Sequence, residues 1–424
     1  MTGTAATRAD RGRGSDFTMT AVSQTSAQKP IGKDRIANMA AARAADESFR
    51  EALYFLGNIL DRQWDLGRQV VVGWCSTAGG IQVLFVPNHR LSEALADHQH
   101  LLIGSRHVDA ETMAKMVQIF GKKPVSLTLP TVAGGRTINS DDIETVVDKY
   151  CIKKIDSRAA VLFDIVKFGI YPPLEQVMQL NNLQYSINFA QTALVQHGIS
   201  CKTSRSPTGD GFYVWNTRPG LDGDLDLFQF MVLVLAENAV AHYKGKGNTV
   251  PQLRTCFHIG SNFEYNQVDV LTPTIVSYIV GDLTINMSRM IEKALPGQIL
   301  IGSFIKAVSG DAITDDGGLK RINAPIFMSL AQRRVKLLSD LVPSGERVND
   351  ISLYLTGIKG SGENYNVKRY RLRDKHGKSH NAFNAKLNIA LSDDRKIFIG
   401  LRDNDLAEFD AEPSVLDLSG DWEP

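Results

Sequence analysis

The sequence lacks the features that define several large classes of protein. Its longest apolar run, around residues 227–236, is far shorter than the ~20 residues that a membrane-spanning helix needs. The N-terminus has no apolar segment of the kind found in export signals. A formal net charge of +1 gives no strong field for non-specific binding to nucleic acid or to a membrane surface. The four cysteines are widely spaced and fit neither a zinc pattern nor a dense disulfide framework, which suits a reducing compartment. We therefore expect a cytoplasmic protein that binds neither nucleic acid nor membrane.

What the sequence does contain indicates a soluble protein of two or three domains. Its 424 residues are 43% hydrophobic and 22% charged, which is typical of globular chains. Residues 1–33 are rich in Ala, Thr, Ser, Gly and Arg and predict a disordered tail. A helical pattern and several β-type runs predict a small α/β domain at residues 34–135, which ends near the Gly-Gly of AGGRT. No residues in this domain indicate chemistry beyond packing.

The middle of the chain predicts a different arrangement. The buried strand AAVLFDIVKF is followed by a helix that begins after a double proline and ends at Gly198, with an apolar stripe that includes Leu174 and Val177. A hairpin, a helix at about 225–243, the strand LRTCFHIG, a third helix and the strand GQILIG follow. This β-α-β-β-α-β order with a further α-β unit predicts an α+β, ferredoxin-like (split βαβ) fold.

Two aspartates occupy special places in this pattern. Asp164 interrupts the end of the first buried strand, where an unpaired polar group costs several kcal/mol. Asp210 lies between two glycines at the tip of the central hairpin. Because these two points lie side by side in a split βαβ fold, the two carboxylates would repel each other unless a divalent cation lies between them. The structural alternative is that Asp164 caps the loop after it and that Asp210 is a turn residue.

Five ordered segments resemble the class III nucleotidyl cyclase domain, from Ala159 to about Leu372. They are FDIVKF, TGDGFYV, LRTCFHIG, the long segment IVGDLTINMSRMIEKALPGQILIG, and GIKGSGENYNVKRYRL. Five matches in order over about half of the chain are more specific than any single short motif.

The resemblance implies a role for individual residues. Asp164, Asp210 and the backbone carbonyl of Ile165 match the positions that bind two Mg²⁺ or Mn²⁺ ions. Arg289 matches the arginine that stabilises charge at the α-phosphate, and Lys359 matches the lysine that holds the terminal phosphates. The loop at Phe168 would offer backbone N–H groups to the β- and γ-phosphates.

Several positions depart from the purine cyclases of this family. Ser206 and Tyr278 stand where charged or polar residues read the purine base, and without those groups discrimination for a purine is lost. Ile285 holds the register of the usual ribose-orienting asparagine, and Asn286 lies one step later, so either could take that position. Lys167 stands where a glycine is usual, and it is either a triphosphate contact or an exposed charge. His258 is interpreted as structural.

The C-terminal segment predicts a β-rich, sensor-like domain at residues 373–424, which follows a cyclase domain assigned to residues 155–372. It is similar to sensor domains of bacterial defence enzymes, and together with the altered base positions the chain resembles the pyrimidine cyclases of Pycsar antiphage systems. The implied reaction is UTP to 3′,5′-cyclic UMP plus pyrophosphate, with CTP as the next choice, and the product would act on a separate effector protein. The resemblance also implies a homodimer with its sites at the interface. A purine cyclase and a catalytically silent nucleotide sensor remain as alternatives.

Overall fold

A computed structural model of the protein describes residues 33–94, 97–133, 137–245, 247–268, 275–309, 319–359 and 365–416. The predicted disordered tail at residues 1–33 therefore lies, except for Lys33, outside the described residues, and so does the Gly-Gly of the predicted boundary at AGGRT. Of Lys359 only the backbone is described.

The described residues form both helices and strands. The helices are α1 Lys33–Trp64, α2 Asn88–Ala94, α3 Ala110–Phe120, α4 Ser140–Val147, α5 Pro173–Gln196, α6 Gly220–Lys244, α7 Asp282–Lys293 and α8 Ala324–Val335. The strands are β1 Gln69–Thr77, β2 Gly80–Pro87, β3 Val125–Thr128, β4 Ile152–Ile165, β5 Thr203–Pro207, β6 Gly211–Asn216, β7 Leu253–Val268, β8 Ile275–Val280, β9 Ile299–Gly302, β10 Ile305–Ser309, β11 Leu319–Asn323, β12 Val348–Leu355, β13 Gly357–Lys359, β14 Tyr365–Arg373, β15 Ser379–Leu391, β16 Lys396–Ile399 and β17 Glu412–Val415.

The N-terminal part is an α/β unit around the antiparallel sheet β1-β2-β3. The helices α1 and α4 pack on one face of this sheet through Leu56, Leu60 and Val147, and α3 packs on the other face. Because α4 and the residues up to Cys151 belong to the same apolar cluster, the unit extends beyond the predicted end at residue 135. The sequence prediction stopped at the Gly-Gly, whereas packing continues through α4.

The larger part is built on one sheet with the strand order β13-β14-β15-β9-β7-β4-β6-β5. β4 runs antiparallel to both β6 and β7, and β7 runs parallel to β9. Alternate residues of β4 face opposite sides: Val161 and Phe163 pack with α5, α6 and α8, whereas Ala160 and Leu162 pack under α7. The predicted α+β architecture with the split βαβ order is confirmed.

The first turns of α5 differ from the prediction. Leu183 and Ile187 lie in the core, but Leu174 and Val177 are 68% and 60% exposed. The apolar stripe of α5 therefore continues onto the surface, because its first two turns extend past the elements that cover the rest of the helix.

The helix α6 is long and apolar enough to span a membrane by length and composition alone, with a mean hydropathy of 1.3 over its most apolar window. Of that window, 83% is buried inside the fold. The helix packs beneath the sheet with α5 and α8, and its apolar middle is buried in the core.

The C-terminal strands do not form a body of their own. β15 lies between β14 and β9 of the main sheet, and it also pairs with β12 and β16. The separate β-rich domain predicted at residues 373–424 is thus, over its described part up to Leu416, an extension of the same sheet. The strand pattern was correct, but unpaired edges of the core sheet accept these strands as partners.

Candidate metal and nucleotide site

Asp164 and Asp210 lie side by side at one end of the main sheet. Asp164 faces Gly211 in the β4–β6 register, and the Ile165 N–H donates a 2.9 Å hydrogen bond to the carbonyl oxygen of Asp210. The strands approach so closely that a Cβ on Gly211 would lie 1.9 Å from the carbonyl oxygen of Phe163. The glycine after Asp210 therefore allows the hairpin tip to meet the end of β4.

The carboxylate of Asp164 is held by an arginine that the sequence interpretation had missed. Arg254 on β7 lies directly opposite Asp164, and its Nε and Nη2 atoms are 2.7 and 2.6 Å from Oδ2 of that aspartate. Burial raises the pKa of Asp164 above its ordinary value, Arg254 opposes the shift, and the charge of Asp210 adds to it. The two carboxylates are therefore close enough for the charge of Asp210 to affect the pKa of Asp164. A cross-strand register would have identified Arg254, but the sequence alone does not provide one.

The donor set suits a hard divalent cation. Among the described residues, no group of three His, Cys, Asp or Glu side chains could hold a metal ion, so a site here would rest on two carboxylates and the Ile165 carbonyl. Mg²⁺ commonly takes one or two carboxylates and completes its shell with water and substrate phosphates. Two neighbouring carboxylates, one of them with a raised pKa, fit such an ion.

The loop after Asp164 turns sharply at Lys167, whose backbone is left-handed with φ 56°. This conformation favours glycine, which explains why glycine is usual at the matching position of the resembling family. A short 3₁₀ turn, Phe168–Ile170, follows, and the first N–H groups of such a turn have no acceptor within it. The ring of Phe168 packs against the core, and Lys167 is exposed.

The two predicted base-reading positions lie on neighbouring strands. Ser206 is buried on β5, and Tyr278 is half-buried on β8, where it stacks on Tyr265 with ring centroids 5.5 Å apart. Cα atoms of β5 and β8 approach within 8 Å. The structure therefore brings β5 and β8 together, and Tyr278 of β8 stacks on Tyr265 of the neighbouring strand β7.

Arg289 lies apart from the aspartates. It extends from α7 toward the β14–β15 hairpin, where its Nε is 3.7 Å from Oδ2 of Asp374, and its Nη1 is 3.2 Å from Oε2 of Glu292. Among the described residues it forms no ion pair with Asp164 or Asp210 within 4.0 Å. Within one chain, Arg289 thus pairs with Asp374 and Glu292, whereas Asp164 pairs with Arg254.

Lys359 is the last residue of β13, which pairs with β14 at the edge of the sheet. Its predicted role at the terminal phosphates stays a prediction.

Asn286 of α7 and His258 form a partly buried polar contact. Asn286 Nδ2 is 3.4 Å from His258 Nε2, and Asn286 Oδ1 is 2.9 Å from His380 Nδ1. Burial lowers the pKa of His258 to about 4, and the neighbouring His380 contributes to this shift. Asn286 is therefore engaged inside the fold, and Ile285 is 52% exposed.

Comparisons with known proteins gave likenesses to solved structures only. No protein-family model matches the sequence, and no match was found among curated proteins. Similar structures include the guanylyl cyclase Cya2, at 12% identity and a TM-score of 0.32. The match covers 56% of this chain and 93% of the Cya2 chain. They also include the guanylate cyclase domain of RhGC from Catenaria anguillulae in complex with GTP, at 14% identity and a TM-score of 0.30, with 55% and 97% covered. The adenylyl cyclase CyaB from P. aeruginosa follows at 12% identity and a TM-score of 0.28, with 41% and 94% covered.

The class that the fold itself defines is an α+β protein with a split βαβ core. The chemistry of the site is inferred from the side chains of this chain.

Proposed function

We propose that the protein is a nucleotidyl cyclase that converts a nucleoside triphosphate to a 3′,5′-cyclic nucleotide and pyrophosphate. The observation that carries this proposal is the pair of carboxylates, Asp164 and Asp210, at the ends of two adjacent strands. Arg254 pairs with the carboxylate of Asp164, and Asp210 beside it has lone pairs left for a cation. Asp164, Asp210 and the carbonyl of Ile165 would hold Mg²⁺ or Mn²⁺, two ions per site.

The reaction is a displacement within one nucleotide. The ribose 3′-oxygen attacks the α-phosphorus in line, the bond from that phosphorus to the bridging oxygen breaks, and pyrophosphate leaves with the electron pair while the 3′-hydroxyl proton passes to solvent. Bound divalent cations supply charge neutralisation for the attacking and leaving oxygens. The protein's part is to place charge, as in other phosphoryl transfers. Arg254 pairs with the carboxylate of Asp164 and would contribute positive charge beside the bound triphosphate.

Arg289 and Lys359 would act on the α-phosphate and on the terminal phosphates. Since Arg289 faces Asp374 rather than the aspartate pair of its own chain, we propose that each site combines the aspartates of one protomer with the arginine of another. The exposed apolar residues Ile170, Leu174 and Val177 supply surface that such a homodimer would cover. We expect the monomer to be inactive.

We propose UTP as the substrate, with CTP as the next choice. The strands that would flank the base carry Ser206 and the stacked Tyr278 rather than charged side chains, and a large ring at that place favours a one-ring base over a purine. By its resemblance to the Pycsar cyclases, the product would be a second messenger in bacterial antiphage defence. It would be made in the cytoplasm and read by a separate effector protein.

The test is turnover by the purified protein with ATP, GTP, CTP and UTP present together and with Mn²⁺. Chromatography and mass spectrometry would identify the cyclic product, and pyrophosphate release would measure the rate. Cyclic UMP is the expected main product, and cyclic CMP would move the proposal to the second pyrimidine. Dominance of a purine product would contradict the pyrimidine assignment but keep the cyclase. If nucleotide binds but no triphosphate turns over, the chain is a silent sensor and the proposed function is wrong.

A further inference from the structure

The second aspartate-tipped hairpin, β14–β15, holds its carboxylate in a closed environment. Asp374 is only 4% exposed at its side chain. Its Oδ1 accepts hydrogen bonds from the backbone N–H groups of His376, at 2.8 Å, and Lys378, at 2.9 Å. These two bonds fix the carboxylate to the turn, so its second oxygen has a defined direction.

That second oxygen points toward α7. Asp374 Oδ2 is 3.1 Å from Nε2 of His380 and 3.7 Å from Nε of Arg289. His380 in turn contacts Asn286, three residues before Arg289 on the same helix. Residues three apart share one helix face, so a single face of α7 meets the hairpin at two successive contacts.

The charges suit a fixed partner for an arginine. Burial opposes the ionised form of Asp374, but hydrogen bonds from His380 and from the backbone of Lys378 and His376 outweigh it and lower the pKa of Asp374 to about 2. The carboxylate is therefore ionised at neutral pH. The other partner of Arg289, Glu292, is 56% exposed and lies on the same helix, where an exposed pair orients a long side chain only weakly.

We propose that Asp374 is a positioning residue for Arg289, through which the C-terminal hairpin sets the direction of the arginine that stabilises the transition state. This inference rests on the proposed function. An arginine side chain has several rotatable bonds, and an arginine that must reach a phosphate loses less freedom if a rigid carboxylate already holds its Nε. Nη1 of Arg289 then has only the exposed Glu292 as a partner, which a substrate phosphate could replace. Asp374 itself touches no reacting atom.

The test compares Asp374→Asn with a matched hairpin variant. Asn keeps an acceptor for the turn but removes the charge that faces Arg289. Asp393→Asn, in the β15–β16 turn, removes an aspartate that pairs with Arg395 in the same way but far from α7. Asp374→Asn should lower kcat about tenfold with KM changed less than about twofold, because the contact matters in the transition state. Asp393→Asn should change neither constant.

A double-mutant cycle separates positioning from a general structural role. In an Arg289→Ala background, Asp374→Asn should cause no further loss, whereas a structural defect would lower activity again. Asp374→Glu, which restores the charge, should recover part of kcat. An equal loss in both backgrounds, or no loss in the wild-type background, would overturn the inference.

A second readout does not depend on turnover. Phenylglyoxal modifies accessible guanidinium groups, and peptide mass mapping gives the rate at Arg289. That rate should rise several-fold in Asp374→Asn and stay unchanged in Asp393→Asn. If wild-type protein turns over none of the four triphosphates, the proposed function fails, while the modification rate still decides whether Asp374 holds Arg289. An unchanged rate would contradict the inference whatever the activity.

Discussion

The hairpins β5–β6 and β14–β15 both carry an aspartate at the tip, but the surroundings of the two carboxylates differ. At β5–β6, Asp210 is half-exposed, and its described side-chain contact is the Thr208 hydroxyl at 3.4 Å. At β14–β15, Asp374 is enclosed by two backbone N–H groups and His380. An open carboxylate has lone pairs left for a cation, whereas an enclosed one can only orient its neighbours. The same residue type in the same kind of turn therefore predicts two roles.

The open hairpin should be the more sensitive to loss of charge. Asp210→Asn should lower turnover at least about a thousandfold, because one of two carboxylates for the cations is lost. The fold should be unchanged by circular dichroism. The control is Asp156→Asn, which removes an exposed aspartate from the same strand as Asp164. The comparison breaks if both variants keep wild-type turnover.

The second largest loss of turnover is expected for Arg289, which lies next to the β14–β15 hairpin. Arg289→Ala should lower kcat about a hundredfold or more, which is the usual cost of one charge-stabilising donor. Lys293→Ala, one turn later on α7 and paired with Asp410, is the matched control and should have little effect. Steady-state kinetics with the preferred triphosphate provide the measurement. Equal losses in the two variants would indicate damage to α7 rather than loss of a catalytic group.

The buried imidazole of His258 should also make the stability of the protein depend on pH. Burial lowers the pKa of His258 to about 4, below the ~6.5 of an unfolded chain. Protonation thus favours the unfolded state, and the free energy of unfolding should fall by about 3 kcal/mol at most as the pH drops from about 6.5 to about 4. Urea unfolding at several pH values would measure this. The slope should flatten in His258→Gln but not in the exposed control His376→Gln, and an unchanged slope in His258→Gln would refute the assignment.

The smallest expected effect concerns cation binding at the open hairpin. Mn²⁺ at a hundredfold excess over its Kd should stabilise the protein by about 2.7 kcal/mol, because only the folded state presents both carboxylates. The melting temperature should therefore rise by a few degrees. Asp164→Asn should abolish the rise, whereas Asp374→Asn should keep it. If Mn²⁺ stabilises both variants equally, the ion binds elsewhere and the open site is not a cation site.

The meeting of Asp164 and Asp210 was predictable from the sequence, because the order of elements alone brings the end of β4 to the tip of the next hairpin. The contact between Arg254 and Asp164 was not, since it depends on which residues of β4 and β7 face each other. One residue of slip would have turned Arg254 to the opposite face. A local pattern carries no information on that register.

Arg289 and the C-terminal strands illustrate a second limit. The position of Arg289 on its helix followed from spacing, but its partner Asp374 lies 85 residues later, on a hairpin whose second strand was expected in another domain. β15 pairs with both β14 and β9. The local sequence of a strand does not determine which sheet edge it pairs with. Likewise, the exposure of Leu174 and Val177 depends on where neighbouring elements end and not on the periodicity of α5.

The strand β4 also belongs to both halves of the molecule. Its first residues reach the N-terminal unit, where Lys154 forms a bridge with Ile103 and the preceding Cys151 forms one with Val71, and its last residues carry Asp164. The ladder with β7 is interrupted once, between Ile155 and Arg158. A continuous strand has no swivel, so any displacement of the N-terminal unit must bend the ribbon at this irregularity or pull on the carboxylate at its far end. Movement of the N-terminal unit is therefore mechanically coupled to the acidic pair through this one strand.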